Sequence, residues 1–221
     1  MLQIKPYFSM PIAMCRIKGV ESLNQNLLKY FEWLIKDAGN RNDLPTQPER
    51  DTLYESKFDL FDHENDSVQA IKELMHQELI KLVMTLNHYP EAIRDTLRIK
   101  QHAWFHFTKK NGYFTFHNHP MASWSAIYCV QGGGRPCNEP ESAITRFSHP
   151  VPSANYYMDA GNANLQVPYS IAPFNLLLEA GDLVFFPSHL MHEVTPHLGE
   201  QDRVTIAVNF WIDSNLVKVR I

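Results

Sequence analysis

The spacing of apolar residues changes from helical to alternating near residue 99, and this change limits the folds open to the chain. Residues 20–37 and 67–88 repeat their large apolar side chains at three- and four-residue intervals, which predicts two amphipathic helices. From residue 99 onward, short segments alternate apolar and polar residues between glycine, proline and asparagine, which predicts strands. Helices followed by strands indicate an α+β protein.

The predicted strands are numerous and short, as in a jelly roll. They cover residues 99–108, 113–117, 124–130, 143–147, 175–179, 182–186 and 203–212. The 221 residues fit a single domain. We expect a helical N-terminal portion, residues 1–98, packed on the sheet of a double-stranded β-helix core, residues 99–221.

Three connecting segments carry expectations of their own. Residues 109–112, Lys-Lys-Asn-Gly, have the composition of a hairpin turn between the first two strands. Residues 40–55 are polar and contain two prolines, which favours a loop. Residues 148–174 are irregular and rich in proline, asparagine and tyrosine, and a loop of this length is often a lid or a binding loop.

Charge and cysteine content exclude several classes of protein. The net charge of −4 does not favour a nucleic-acid partner. The three cysteines form no CxxC pair, so we expect neither a disulfide framework nor a thiolate zinc site, and we predict a cytoplasmic location. Two prolines interrupt the first apolar stretch, which argues against a signal peptide. No window approaches the ~20 apolar residues of a membrane-spanning helix.

Two histidines at the end of a predicted strand are the first candidate metal ligands. His117 and His119 are two residues apart, so in an extended strand both imidazoles point to one face. Pro120 then ends the strand. Such a pair can chelate a divalent transition metal, although a pair of surface histidines at a strand end would have the same spacing.

A third histidine follows a separate apolar strand. His192 comes shortly after residues 182–186, and extended structure resumes behind it, so a second strand could deliver it to the same metal. His189 competes for this role. We prefer His192 and expect His189 and His197 to lie in exposed loops.

The last predicted strand carries an arginine on its polar face. Val204, Ile206, Val208 and Phe210 form one face and predict the core side, whereas Arg203, Thr205, Ala207 and Asn209 form the other face. An inward guanidinium needs an anionic partner because burying it unpaired is costly. A ligand carboxylate held by Arg203 with help from Thr205 is one such partner, and a structural salt bridge is the other.

The order of these motifs resembles that of the iron(II)/2-oxoglutarate dioxygenase superfamily. Its members carry a His-x-Asp/Glu…His triad and a basic residue about ten positions after the last histidine. Residues 99–212 more narrowly resemble a bacterial and phage family of 2-oxoglutarate oxygenases with a His-x-His-Pro motif. The resemblance rests on Trp104, His117–Pro120, Ser125–Cys129, Gly181–His192 and Arg203–Asn209.

The resemblance implies a function. His117, His119 and His192 would bind iron(II), with His119 standing where most of the superfamily has Asp or Glu. Arg203 and Thr205 would hold the far carboxylate of 2-oxoglutarate. The enzyme would oxidise an unknown small-molecule or peptide substrate while 2-oxoglutarate is decarboxylated to succinate, and ascorbate could serve as reductant. No catalytic residue beyond the metal ligands is implied.

Some positions near the implied site remain open. Cys129 replaces a tyrosine of the related family, and Ser125, on the same strand face, is expected to contact 2-oxoglutarate instead. Trp104 and His106 could line the substrate side, but we interpret them as a core residue and a buried, hydrogen-bonded histidine.

Two other functions fit part of this pattern. A cupin-like metal protein, or a dioxygenase that does not use 2-oxoglutarate, would keep the three histidines and give Arg203 a structural partner. A jelly-roll binding module without catalytic activity would bind no stoichiometric metal. The N-terminal helices could also pack on a second subunit, so a homodimer is open.

Overall fold

The computed structural model describes residues 2–48 and 51–218, which contain two α-helices and ten strands. The helices are α1 (Glu21–Lys36) and α2 (Asp66–Asn87). The strands are β1 (Ala13–Arg16), β2 (Leu53–Glu55), β3 (Arg98–Thr108), β4 (Phe114–His117), β5 (Trp124–Gln131), β6 (Ile144–Phe147), β7 (Phe174–Leu177), β8 (Asp182–Pro187), β9 (His192–Val194) and β10 (Arg203–Asp213).

The strands form two sheets, as expected for a jelly roll. One sheet has six strands in the order β1-β8-β5-β10-β3-β2, and the other has four in the order β4-β9-β6-β7. Every pairing between these strands is antiparallel. β10 lies inside the larger sheet, where β3 and β5 flank it on either side. The expected α+β jelly roll is confirmed.

The two helices cover the outer face of the larger sheet. Phe31 of α1 stacks on Phe105 of β3 with a centroid distance of 4.2 Å, and both side chains are fully buried. The apolar face predicted for β10 belongs to this core. Asn65 caps α2, because its side-chain oxygen accepts the N–H groups of Ser67 and Val68. Because the helices cover one face of β10, its opposite face points into the space between the two sheets.

The predicted hairpin between β3 and β4 is wrong. β3 pairs with β10 and β2 in the larger sheet, whereas β4 pairs with β9 in the smaller sheet. A turn is present between them, but its backbone bonds to other segments. The Lys109 N–H donates to the Thr52 carbonyl, and the Asn111 N–H donates to the His197 carbonyl. The chain therefore crosses from one sheet to the other at this turn.

The N-terminal portion contributes strands as well as helices. β1 pairs with β8 at one edge of the larger sheet, and β2 pairs with β3 at the other. β2 lies inside the segment that the sequence predicts as a loop. Three residues are too few to show an alternating pattern, so neighbouring strands rather than local sequence determine this element.

The connection between β6 and β7 contains no helix or strand, as the sequence predicts. Its role as a lid or binding loop stays a prediction. Among the described residues, no helix is long and apolar enough to cross a membrane.

Candidate active site

The three candidate ligand histidines lie together at one end of the smaller sheet. His117 ends β4 and pairs directly with His192, which begins β9. His119 lies two residues past β4, where its backbone N–H donates to the Ser188 carbonyl at 2.9 Å. One side-chain nitrogen from each histidine lies within 4.8 Å of the others. The structure thus brings together the three residues predicted from two separate motifs.

Backbone carbonyls fix the orientation of two of the imidazoles. Nδ1 of His117 donates to the Thr115 carbonyl at 2.6 Å, and Nδ1 of His192 donates to the Leu190 carbonyl at 3.0 Å. Because a carbonyl oxygen only accepts, the ring proton of each neutral histidine resides on Nδ1. Nε2 of each ring is therefore a lone-pair donor available to a metal.

The electrostatic environment keeps these histidines neutral. Burial, followed by the neighbouring His192 and His117, lowers the pKa of His119 to about 2. Burial and then His117 lower the pKa of His192 to about 3. The pKa of His117 is also lowered, mainly by burial. Neutral imidazoles are the form that binds transition metals, so this donor set fits a divalent ion such as iron(II).

Arg203 shares a small cavity with the three histidines. Its side chain is only 2% exposed, and its Nε and Nη2 atoms have no hydrogen-bond partner within the described part of the chain. Burial lowers the pKa of this guanidinium. A buried, unpaired cation is costly, so Arg203 is positioned to bind an anion in this cavity. A carboxylate of a small diacid fits this requirement.

The structure brings Thr205 to this cavity but not Ser125. Thr205 is buried and lines the cavity beside Arg203. Ser125 lies further along the sheet, opposite Asn209, and is not among the residues that line the cavity. Its hydroxyl donates to the Asn209 Oδ1 and lies 2.8 Å from the Ser188 hydroxyl. Ser125 thus contacts Ser188, whose carbonyl accepts the His119 N–H, rather than the surroundings of Arg203.

The sequence matches a known family over the segment that holds all of these residues. Residues 102–209 match the model of the family described as "Putative 2OG-Fe(II) oxygenase". The β core of this chain is similar to that family over this segment. The predicted oxygenase class, with iron(II) and 2-oxoglutarate as its cofactors, is therefore confirmed at the level of the family.

Solved structures of similar fold show the same overall architecture. A prolyl-4-hydroxylase from Pseudomonas putida has a TM-score of 0.60 at 14% identity, over 91% of this chain and 92% of that one. AviO1 from Streptomyces viridochromogenes Tue57 has a TM-score of 0.58 at 15% identity, over 97% and 94%. HygX from Streptomyces hygroscopicus, solved with nickel and 2-oxoglutarate bound, has a TM-score of 0.56 at 13% identity, over 91% and 83%. A comparison with curated protein sequences finds no match.

The oxygenase contains a buried acid–base pair that the sequence did not identify. Nε2 of His106 lies 3.1 Å from Oε2 of Glu55, and both side chains are buried. Burial alone would raise the pKa of Glu55, but hydrogen bonds with His106 and Thr46 lower it to about 2. Glu55 falls in a segment predicted as a loop, so nothing in the sequence indicated that it lies here. The only signal was that His106 lies on the same strand face as Trp104.

Two other histidines of this oxygenase test the sequence interpretation. His189 is exposed, as expected. The expectation that His197 is exposed is wrong, since it is fully buried. Its Nε2 donates to the Gln201 carbonyl at 2.7 Å, and its ring packs against the loop at Gly133. A loop position in sequence therefore did not imply exposure.

Proposed function

We propose that this protein is an iron(II)- and 2-oxoglutarate-dependent oxygenase whose metal ligands are His117, His119 and His192. Arg203, with the hydroxyl of Thr205, binds the distal carboxylate of 2-oxoglutarate. One observation carries these assignments: a buried guanidinium without a partner lines the same cavity as three neutral imidazoles. A diacid with a metal-chelating end would satisfy both groups at once.

When bound, iron(II) and 2-oxoglutarate would supply the oxidising chemistry: with dioxygen as the oxidant, 2-oxoglutarate would lose CO2 and leave as succinate. The chain itself supplies orientation and shelter. Carbonyl acceptors fix the His117 and His192 rings, and the guanidinium fixes the far end of the diacid. Phe114, Ile127 and Val194 line the cavity with apolar surface. They exclude water, which strengthens the attraction between guanidinium and carboxylate.

The substrate proposal is limited to its class. We propose a small molecule or a peptide as substrate, held under the long segment between β6 and β7. Solved structures of similar fold include a prolyl hydroxylase with a peptide fragment bound and HygX with hygromycin B bound. The exposed side chains of Tyr156 and Tyr157 in that segment could contact either class. Ascorbate could keep the iron reduced during turnover.

The cellular setting is also a proposal. The three cysteines within the described residues are free, which agrees with a reducing compartment such as the cytoplasm. The negative net charge gives no support to a nucleic-acid partner.

The test measures metal binding and succinate together. Purified protein is loaded anaerobically with iron(II), air is then admitted, and succinate release from 2-oxoglutarate is followed with ascorbate present. We expect metal-dependent succinate formation. His119→Ala should lower metal affinity by more than about 100-fold, because changes in outer-shell partners alone cost roughly 10- to 100-fold.

His189→Ala is the matched control, since His189 is exposed and lies outside the cluster. A wild-type chain that binds no divalent metal, or a His119→Ala variant with unchanged affinity, would contradict the metal assignment. Stoichiometric metal without any 2-oxoglutarate turnover would instead support a dioxygenase that does not use 2-oxoglutarate. The third imidazole in place of a carboxylate is the feature that favours this alternative.

A further inference from the structure

His106 lies beside the proposed 2-oxoglutarate anchor. On β3 it is directly opposite Thr205 of β10, so the two side chains project from the same face of the sheet. It lines the same cavity as Arg203 and Thr205 and is only 5% exposed. Neither the metal site nor the distal-carboxylate site described above uses this imidazole.

Two neighbours hold the His106 ring by a single nitrogen. Nε2 lies 3.1 Å from the Trp104 indole nitrogen and 3.1 Å from Oε2 of Glu55. Glu55 in turn accepts hydrogen bonds from the side chain of Asn42 and from both the backbone and the hydroxyl of Thr46. The pair therefore sits in a rigid setting that leaves the ring little freedom to rotate.

The other nitrogen, Nδ1, makes no hydrogen bond with any residue that the structure describes. An Nε2 that accepts from Trp104 leaves the proton of the neutral ring on Nδ1. The Trp104 indole N–H can only donate, so Nε2 accepts from it and His106 offers an unused N–H donor at Nδ1.

A carboxylate has room for this donor. It offers about four acceptor positions, and the unpartnered Nε and Nη2 of Arg203 with the hydroxyl of Thr205 would fill three of them. We propose that His106, held by Trp104 and Glu55, is a third residue that binds the distal carboxylate of 2-oxoglutarate. This inference rests on the proposed function and adds a specificity-determining residue to it.

The experiment compares two ligands that share one end. 2-Oxoglutarate and pyruvate chelate a metal through the same 2-oxo acid group, but pyruvate has no distal carboxylate. Dissociation constants of both are measured by calorimetry on protein loaded with Mn(II), without turnover. His106→Gln should weaken 2-oxoglutarate binding by about 10- to 100-fold, the range of one charge-assisted hydrogen bond. Pyruvate affinity should stay the same.

Two further variants sharpen the assignment to Nδ1. The amide of His106→Asn occupies the position of Nδ1, so this variant should keep most of the 2-oxoglutarate affinity that His106→Gln loses. His102→Gln is the matched control, because His102 lies on the same strand face but is exposed. It should leave both affinities unchanged.

An unchanged 2-oxoglutarate affinity in His106→Gln overturns the inference. An equal loss for both ligands does so too, since it would indicate an effect on the metal or the fold. If His106→Gln does not fold, as judged by circular dichroism, His106→Leu replaces it and the ratio of the two affinities decides. Arg203→Met distinguishes a failure of the proposed function from a failure of this inference. If Arg203→Met keeps the wild-type affinity for 2-oxoglutarate, the proposed function fails. If Arg203→Met loses that affinity but His106→Gln keeps it, only the inference about His106 fails.

Discussion

Replacing Arg203 with methionine should have two opposite effects. Methionine fills a similar volume without charge, so it removes an unpaired guanidinium that is 2% exposed. The ligand-free variant should therefore be more stable than the wild type. The same change should abolish the stabilisation that 2-oxoglutarate gives to the metal-loaded protein, because its distal carboxylate loses its cation.

The magnitudes follow from the two unpartnered atoms, Nε and Nη2. Replacing buried charges by apolar groups of similar volume often stabilises a protein by about 1–4 kcal/mol. For a chain of this size, each kcal/mol raises the melting temperature by about 2–4 °C. Two charge-assisted hydrogen bonds of about 1.5–3 kcal/mol each correspond to a loss of roughly 10²- to 10⁴-fold in 2-oxoglutarate affinity.

Thermal unfolding with and without 2-oxoglutarate, together with calorimetry, measures both effects. Arg146→Met is the control, because Arg146 on β6 is partly exposed and pairs with Glu141 and with Glu193. That variant should bind 2-oxoglutarate normally. The reasoning would be refuted if Arg203→Met were less stable than the ligand-free wild type and still bound 2-oxoglutarate. That result would show that the guanidinium has a structural role.

Two further predictions concern pH and packing. The folded-state pKa values of His119 and His192 are about 2 and about 3, below the unfolded value of about 6.5. As the pH falls from 6.5 toward 3, these two histidines therefore take up protons mainly in the unfolded metal-free chain. Urea denaturation should then show an unfolding free energy that decreases from pH 6.5 toward 3, by at most about 1.4 kcal/mol per pH unit and histidine, and a flat profile would refute it. Phe31→Ala should lower the free energy of unfolding by about 3–5 kcal/mol in the same assay, because the Phe31 ring is fully buried and stacks on Phe105. A loss below about 1 kcal/mol would contradict the packing of α1 on the sheet.

The sequence predicted the candidate site where the signal was local. His117 and His119 share a face because a strand has a period of two, and Arg203 faces inward because Val204 and Ile206 face the core. These inferences need only the strand and its burial. The prediction that these residues lie close to His192 came from the order of motifs in a related family. Spacing within one strand does not indicate which distant segments are close in space.

The features that sequence could not predict depend on which strands are neighbours. The turn after β3 has hairpin composition, yet it joins two sheets, because β3 and β4 each find other partners. Glu55 reaches His106 only because the short strand β2 pairs with β3 at that register. Ser125 was predicted to contact 2-oxoglutarate from its strand face alone. Without the pairing of β5 with β10, the sequence could not show that Ser125 lies opposite Asn209 and not opposite Thr205.

The division of the site between two sheets explains which of its residues depend on loops. The His117–His192 pair lies within the smaller sheet, and Arg203 and Thr205 lie within the larger one, so the positions of these four residues are set by paired strands. His119 is the exception, because it lies beyond β4 and is held by a backbone hydrogen bond to Ser188. Since the Ser188 hydroxyl contacts Ser125 on β5, the larger sheet also positions the third imidazole. His119, which we propose in place of a triad carboxylate, is thus the candidate ligand whose position depends on residues of another segment.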